Sequence, residues 1–324
     1  MSKYKSEAPG LAFAAIAIAG LCIAPFMVRE YHVEVLTVFL INLILAQSYR
    51  VVTTTGDWTL SHVVFMGVGS YGTALMAKNL GWSLWLTLPM SGLAAAVIGL
   101  AVVAPLLRTR GFGFFIASFA LAEFIRLCWI KFQDPFGGAR GMIGIPMIEI
   151  GDIDFYESIN FYFLTLIVTV ISLFVLYRLD RSRIGAAWKS IYMDEDLSES
   201  VGINVSVFRM KAFLVSSFFA GIAGSLLAYR LGAIDPHNFT IETMVYLVIW
   251  VVVGGTTTFW GPLIGVTVMS IVFEFSRPLH EWRPLLFGVI LIVFLVRLPG
   301  GLESLFPWVS AFADRLTGRN KEAI

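Results

Sequence analysis

The run Gly67–Gly72 reads GVGSYG and places three glycines, Gly67, Gly69 and Gly72, within one short segment. This is the G-x-G-x-x-G spacing of loops that hold the pyrophosphate of a dinucleotide, because glycine lets the backbone approach the phosphates closely. A strand-like apolar run precedes the segment and a helix-like run follows it. The same chemistry also requires an acidic residue about 20 positions later, to bind the ribose.

That acidic residue is missing, because residues 63–122 contain neither Asp nor Glu. The next segment, 84–107, is apolar and long enough to cross a bilayer. The sequence therefore favours a membrane role for the glycines over nucleotide binding. Small residues let helix backbones approach closely in lipid. We predict that Gly67, Gly69 and Gly72, together with Ser70, form a helix-packing or pathway-lining surface.

Two copies of E-F-x-R, at 123–126 and 274–277, each place an acid and a base one helical turn apart. Charges inside a membrane are costly and usually face the protein interior or a water-filled cavity. The pairs Glu123–Arg126 and Glu274–Arg277 therefore predict either structural ion pairs or a gate near the external mouth, and we prefer the structural interpretation. Their recurrence suggests an internal structural repeat, as in many transporters.

Asp57 and His62 flank a threonine-rich turn and could in principle act as an acid–base pair, but no nucleophile pattern accompanies them. We expect Asp57 or Ser61 to cap the following helix by accepting hydrogen bonds from its free N–H groups. The two cysteines and four histidines are too dispersed for a disulfide framework or a metal site. The sequence predicts no catalytic and no metal-binding residues.

The composition indicates what must position these residues. Hydrophobic residues make up 58% of the chain, charged residues only 14%, and the mean hydropathy is +0.82, whereas soluble domains carry about 25% charged residues. The net charge of +1 gives no reason to expect nucleic-acid binding. We predict an all-α polytopic membrane protein, a single transmembrane domain over residues 1–324, with about ten transmembrane or re-entrant helices. They lie near 11–28, 33–50, 63–80, 84–107, 111–131, 161–178, 208–230, 241–256, 260–276 and 284–298; the third, eighth and ninth are short or glycine-rich and could be re-entrant or broken.

Basic residues predict the orientation. With both termini inside the cell, the inside segments carry 15 Lys and Arg and the outside segments carry 7, which supports an N-in, C-in topology. This orientation places the Gly- and acid-rich loop at about 132–160 outside and the charged segment 179–207 inside. The internal segment has helix-forming composition from Gly185 to Ser200, and Gly202 is a stop signal. It is either a solvated connector or a docking surface for a soluble partner.

The internal segment and the span after it, RIGAAWKSIYMDEDLSESVGINVSVFRMKAFLVSSFFAGIAGSLLA, resemble the permease subunits of ABC importers for branched-chain amino acids, the LivM-like family. The matching positions are Gly185, Ala187, Asp194, Glu195, Glu199, Gly202, Ile203 and Asn204. Four more stretches fit this family in the expected order: TGDWTLSHVVFMGVGSYGTAL from Thr55, LRTRGFGFFIASFALAEFIRL from Leu107, GGARGMIGIP from Gly137 and VVVGGTTTFWGPLIG from Val251. The likeness extends over about 51–277.

The resemblance implies a LivM-like permease fold in a bacterial or archaeal inner membrane. It also implies a second related permease subunit, two ATPase subunits that bind ATP and Mg²⁺, and a soluble substrate-binding protein. The chain has no G-x-x-x-x-G-K-[ST] phosphate loop, so we expect ATP hydrolysis on the partner subunits and no cofactor in this chain. We assign ATPase coupling to Gly185, Asp194, Glu195, Glu199, Gly202 and Asn204, on a cytoplasmic helix at about 184–202. We assign helix packing or the pathway to Gly67, Gly69, Gly72, Glu123, Arg126, Gly254, Gly255 and Glu274.

Three stretches depart from the family pattern: Asp57–His62, Gly254–Phe259, and the surroundings of Ala186 and Ser190, where basic residues are fewer. They leave the substrate open between branched-chain amino acids, other amino acids, urea and amides. A stand-alone secondary transporter would need membrane-embedded acids for a coupling ion, and such acids are scarce here and have basic neighbours. A membrane enzyme would need a nucleophile, an acid pair or a metal cluster, which the sequence does not offer.

Overall fold

The structure, a computed structural model, describes residues 8–107, 109, 111–146, 149–150, 153–298 and 300–304. This part of the chain folds into twelve α-helices and four very short strands. The helices are α1 (Ala8–Met27), α2 (Glu30–Thr53), α3 (His62–Leu80), α4 (Leu84–Leu106), α5 (Phe112–Lys131), α6 (Ser158–Asp180), α7 (Arg183–Met193), α8 (Glu195–Ser200), α9 (Val205–Leu231), α10 (Ile241–Gly254), α11 (Gly261–Phe275) and α12 (Arg283–Arg297). The strands are β1 (Met142–Ile143), β2 (Glu149–Ile150), β3 (Ile153–Asp154) and β4 (Ala233–Ile234).

Each predicted span coincides with an α-helix to within a few residues. Five of these helices, α2, α4, α5, α6 and α9, are long and apolar enough to cross a membrane. The chain is therefore an all-α, multi-pass integral membrane protein, as predicted. Helix α3 is continuous over 19 residues and mostly buried within the protein, whereas α10, α11 and α12 have only 14 or 15 residues each.

Helix α9 forms the centre of the bundle and packs against α2, α3 and α4. Its buried side carries small residues such as Gly221 and Gly224, which let neighbouring backbones come close. Polar side chains bridge the contact with α3: the Ser70 hydroxyl donates to the Gly224 carbonyl at 2.8 Å, and the Thr73 hydroxyl donates to the Ser225 oxygen at 2.7 Å. These hydrogen bonds satisfy polar groups that lipid could not.

The last three helices form a second, smaller apolar cluster around Ile249, Val253, Met269 and Phe287. Here α10 and α11 touch through their backbones, because a Cβ added to Gly265 would lie 1.9 Å from the Trp250 carbonyl oxygen. This group contacts the rest of the bundle mainly through α2. The described residues thus form one large core, built around α9, and one satellite core.

The segment between α5 and α6, predicted as a glycine-rich loop, contains three of the strands. Strand β1 pairs antiparallel with β4, so the segment is attached to the end of α9. Gly141 makes this approach possible, since its φ is +68° and an added Cβ would lie 1.8 Å from the Ile234 carbonyl oxygen.

Beside β4, burial opposes the charged form of Asp235, but hydrogen bonds from the N–H and ring of His237 hold the pKa of Asp235 below its usual value.

Candidate functional site

The internal segment assigned to coupling forms two helices, so the prediction of a single helix from Gly185 to Ser200 is wrong. Asp194 breaks it with an extended backbone, φ −160° and ψ 112°. Its carboxylate accepts the Leu197 N–H at 2.9 Å and caps α8, while its own N–H donates to the Ser190 carbonyl at the end of α7. Short polar side chains compete with the helical backbone in this way, which explains the break.

The glycines and the asparagine assigned to coupling from the sequence lie at turns of the same segment. Gly185 lies where α7 folds back on α6, and an added Cβ would be 2.4 Å from the Asp180 carbonyl oxygen. Gly202 follows α8 with φ +88°, a conformation that glycine adopts without strain. The Asn204 side chain accepts the Val207 N–H at 3.1 Å and caps α9. These residues therefore fix the path of the chain from α6 through α7 and α8 into α9.

The outer surface of α7 and α8 combines acids with apolar side chains. Asp194, Asp196 and Glu199 are exposed and Glu195 is half-buried. Four large apolar residues are also exposed in this segment: Tyr192, Met193, Leu197 and Val201. We define these eight residues as the α7–α8 surface. Because the segment connects the ends of α6 and α9, these apolar groups lie at the end of the bundle and not along the side of a spanning helix.

A buried ion pair lies at the same end of the bundle. The Asp57 carboxylate, in the turn between α2 and α3, accepts from the Arg209 Nε at 2.6 Å and also pairs with its Nη2. Both side chains are 6% exposed. The expectation that Asp57 or Ser61 caps α3 is wrong, since Ser61 occupies the N-cap position without a side-chain hydrogen bond to the helix. His62 is buried between the hydroxyls of Ser48 and Ser216.

A second buried network joins α2, α6 and the turn between α10 and α11 (residues 255–260, the α10–α11 turn). The Arg50 guanidinium is 2% exposed and binds Asp180 Oδ1 at 3.0 Å. Asp180 Oδ2 binds the Lys189 ammonium of α7 at 2.8 Å. The sequence contains these charged residues but does not predict that they form an ion pair, because Arg50 and Asp180 are 130 positions apart.

The glycines of the G-x-G-x-x-G run differ in what surrounds them. An added Cβ at Gly69 would lie 2.2 Å from the Gly221 carbonyl oxygen, and one at Gly67 would lie 2.5 Å from the Trp129 ring. At Gly72 the nearest atom would be 3.8 Å away, which is ordinary van der Waals contact. Gly69 and Gly67 therefore allow close packing against α9 and α5, whereas Gly72 has room for a side chain.

Gly254 and Gly255 lie where α10 ends. An added Cβ at Gly254 would be 2.1 Å from the Gly261 carbonyl oxygen, so it belongs to the close contact between α10 and α11. Gly255 has φ +103°, and a Cβ there would lie 2.4 Å from the Glu303 carboxyl carbon. Gly254 therefore excludes a side chain because two backbones meet there, and Gly255 because the Glu303 side chain occupies the space and its φ is positive.

Both E-F-x-R motifs form ion pairs within one helical turn. Arg126 Nε donates to Glu123 at 3.0 Å, and Glu123 borders a small apolar cleft between α3, α5 and α10. Arg277 Nε lies 3.1 Å from Glu274, whose other oxygen accepts from the Tyr31 hydroxyl at 2.6 Å. Glu274 therefore ties the last turn of α11 to the first turn of α2, a packing contact that the motif alone does not indicate.

Comparison with known proteins agrees with this architecture. A family model described as the permease component of branched-chain amino acid transport systems matches residues 31–295. The high-affinity branched-chain amino acid transport system permease protein LivM of Salmonella typhimurium is 28% identical over 302 residues, which cover 86% of this chain and 71% of that protein. LivM of Escherichia coli is 28% identical over 312 residues, which cover 89% and 73%.

A nucleoside ABC transporter permease protein, NupC of Lactococcus lactis subsp. cremoris, is 25% identical over 108 residues, about a third of each chain (32%). No solved structure matches the chain. The family model covers most of the helical bundle, from the start of α2 almost to the end of α12. On this evidence the chain belongs to the family of permease components of branched-chain amino acid transport systems.

Proposed function

We propose that this chain is a transmembrane permease subunit of an ATP-driven importer for branched-chain or related small amino acids. The observation that carries the proposal is the family match over residues 31–295, together with two LivM relatives that align over most of the chain. In this role the bundle forms part of the translocation path, and α7 and α8 dock on an ATPase subunit. ATP and Mg²⁺ belong to that partner.

The complete importer would contain a second related permease, two ATPase subunits and a soluble binding protein outside the cell. The excess of basic residues in the inside segments supports the N-in, C-in orientation in a bacterial or archaeal inner membrane. That orientation places α7 and α8 in the cytoplasm. The α7–α8 surface suits a protein partner, because exposed apolar groups beside charges are typical of interaction sites.

Charge pairing in the bundle disfavours a stand-alone secondary transporter. Coupling-ion sites are usually built from membrane-embedded acids. In the described bundle, Asp57 pairs with Arg209, Glu123 with Arg126 and Glu34 with Arg230. Acids already neutralised by arginine are poor ligands for a transported cation. The alternative proposal keeps the permease role but changes the substrate: urea, amides or other amino acids in place of leucine, isoleucine and valine.

Transport is expected only in the complete assembly. Radiolabelled leucine uptake into proteoliposomes should require the chain, a second permease, the ATPase subunits, the binding protein and ATP. Unlabelled isoleucine and valine should compete, whereas urea and a nucleoside should not. Proteoliposomes with this chain alone serve as the matched control. Uptake by the chain alone would contradict the proposal, and competition by urea alone would transfer it to the alternative substrate class.

Variants of the α7–α8 surface and of the adjoining Gly202 are expected to weaken the ATPase contact. Leu197→Ser removes an exposed apolar group, Glu195→Lys reverses a charge, and Gly202→Val forces a β-branched residue into positive φ. We expect the apolar truncation to weaken ATPase co-purification roughly tenfold, as for a central interface residue, and substrate-stimulated ATP hydrolysis to fall with all three. Ile171→Ser, an exposed position on the spanning helix α6, is the control. Wild-type co-purification of all three variants would make this segment a solvated connector.

A further inference from the structure

One carboxylate joins a buried cation to an exposed one. Asp180, the last residue of α6, accepts from the Arg50 guanidinium at Oδ1 and from the Lys189 ammonium at Oδ2. Arg50 is 2% exposed and Lys189 is 42% exposed. The two bonds therefore differ in how easily they break: water can replace the carboxylate at Lys189, whereas Arg50 would lose its partner without compensation.

The guanidinium also holds the α10–α11 turn. Arg50 Nε donates to the Thr256 carbonyl at 3.1 Å and Nη2 donates to the Thr257 carbonyl at 3.3 Å. Its three bonds point in three fixed directions, which a planar guanidinium can satisfy and a lysine ammonium cannot. Arg50 thus fixes the position of the turn relative to Asp180, and through Asp180 relative to α7.

The same turn is held from its other side by Glu303. This carboxylate accepts the Thr257 N–H at 2.7 Å and the Thr258 N–H at 2.9 Å, and it also accepts from both threonine hydroxyls. Carbonyls of the turn face a cation while its amides face an anion, so the peptide dipoles match the charges on both sides. The turn is therefore a defined element, held between a cation on one side and an anion on the other.

We propose that Arg50 is a positioning residue that links the α7–α8 surface to the α10–α11 turn through Asp180 and Lys189. A displacement of α7 by a docked partner changes the Lys189–Asp180 bond first, because that bond is the exposed one. Asp180 then reorients Arg50, and Arg50 carries the α10–α11 turn with it. This inference rests on the proposed function, since it requires an ATPase partner at α7–α8, but it concerns what happens inside this chain.

The second apolar cluster determines which helices would move when Arg50 displaces the α10–α11 turn. Helices α10, α11 and α12 pack around their own core and meet the large core mainly through α2. At one end they are tied to α2 by Tyr31 and Glu274, and at the other end by Arg50. Movement of the turn at the Arg50 end would therefore pivot the three helices about the Tyr31 end, relative to a bundle that stays packed around α9.

The test compares coupling with assembly in the purified complex of this chain, the second permease and the ATPase subunits, with the substrate-loaded binding protein added for the stimulated measurement. The variants are Lys189→Ala and Arg50→Lys, the second of which keeps the charge but loses the three-way geometry. Lys211→Ala is the control, because Lys211 is a lysine of α9 whose ammonium lies over the Phe208 ring at 4.8 Å and takes no part in the network of Arg50 and Asp180. The measured quantities are ATPase co-purification, thermal stability of the complex, and the ratio of substrate-stimulated to basal ATP hydrolysis.

We expect both variants to retain the ATPase subunits, with thermal stability close to wild type for Lys189→Ala and lower for Arg50→Lys, whose buried carbonyl partners lose hydrogen bonds. In both variants the ratio of substrate-stimulated to basal ATP hydrolysis should fall roughly fivefold or more, the lower range of measured couplings between sites. Lys211→Ala should keep the wild-type ratio. Unchanged stimulation in Lys189→Ala and Arg50→Lys would overturn the link. An equal loss of the stimulation ratio in Lys211→Ala would also overturn the link, because the loss would then follow from removing any positive charge. Failure of the wild-type chain to retain the ATPase subunits would instead contradict the proposed function.

Discussion

Replacing Gly69 with leucine is expected to prevent the bundle from assembling. An added Cβ there would lie 2.2 Å from the carbonyl oxygen and 2.4 Å from the Cα of Gly221, so the obstacle is backbone and cannot rotate away. Gly221, on α9, in turn packs against α4, where its own Cβ would be 2.8 Å from the Ser91 carbonyl oxygen. Helix α9 therefore cannot retreat, and the cost should exceed the about 1–3 kcal/mol typical of overpacked cores.

Alanine at Gly69 and at Gly72 provides the matched comparison. Replacing glycine with alanine in a helix usually stabilises it by up to about 1 kcal/mol. Gly72→Ala should show that gain or no change, because its nearest neighbour would be 3.8 Å away. Gly69→Ala should lower the melting temperature of the detergent-solubilised chain despite the helix preference. Equal behaviour of the two alanine variants would show that α3 and α9 do not meet at Gly69.

The Asp57→Asn variant is expected to have the second-largest effect. It leaves the Arg209 cation, 6% exposed, without a charged partner. Removing one member of a buried pair typically costs about 3–5 kcal/mol, because the remaining charge is neither solvated nor compensated. That is a large share of the roughly 5–15 kcal/mol by which folded proteins are stable. Thermal unfolding in detergent, followed by size-exclusion chromatography, measures the loss directly.

The double variant Asp57→Asn with Arg209→Gln should recover part of the lost stability, since two amides can bond to each other without a buried charge. Asp196→Asn neutralises an exposed carboxylate of α8 and should leave the melting temperature unchanged. If Asp57→Asn melts like Asp196→Asn, the pair does not stabilise the fold. If the double variant is as unstable as the single, the loss comes from shape and not from charge.

The sequence predicted the helices well and their partners poorly, for a physical reason. Runs of about 20 apolar residues are a local signal, and each predicted span coincides with a helix. Ion pairs such as Asp57–Arg209, 152 positions apart, depend on which helices touch, and a single sequence holds no trace of that. The same limit applies to Gly69 and Gly72. Both belong to the glycine motif, but only the structure shows that a neighbouring backbone requires glycine at Gly69 and not at Gly72.

The sequence also predicts the wrong role for two acidic residues, Asp194 and Asp57. Residues 185–200 have helix-forming composition, yet Asp194 interrupts them because its carboxylate caps α8. Asp57 also precedes a helix, and the sequence predicts that Asp57 or Ser61 caps α3. There the distant Arg209 binds the carboxylate instead. A strong tertiary partner therefore decides between a cap and an ion pair, and position relative to a helix does not.

The short final helices have a consequence for the surrounding lipid. At 1.5 Å per residue, the 15 residues of α12 extend about 22 Å, less than the roughly 30 Å hydrocarbon thickness of a typical bilayer. Leu285, Ile292 and Val296 are 60–72% exposed along this helix, so acyl chains must meet a narrow apolar band there. A short apolar helix in a bilayer is accommodated by local thinning, by snorkelling of flanking residues or by contact with another subunit, each at a modest cost for each ångström of mismatch. Where thinning is the response, lipids with shorter acyl chains are favoured beside α12, and membrane thickness becomes a variable to which this side of the permease responds.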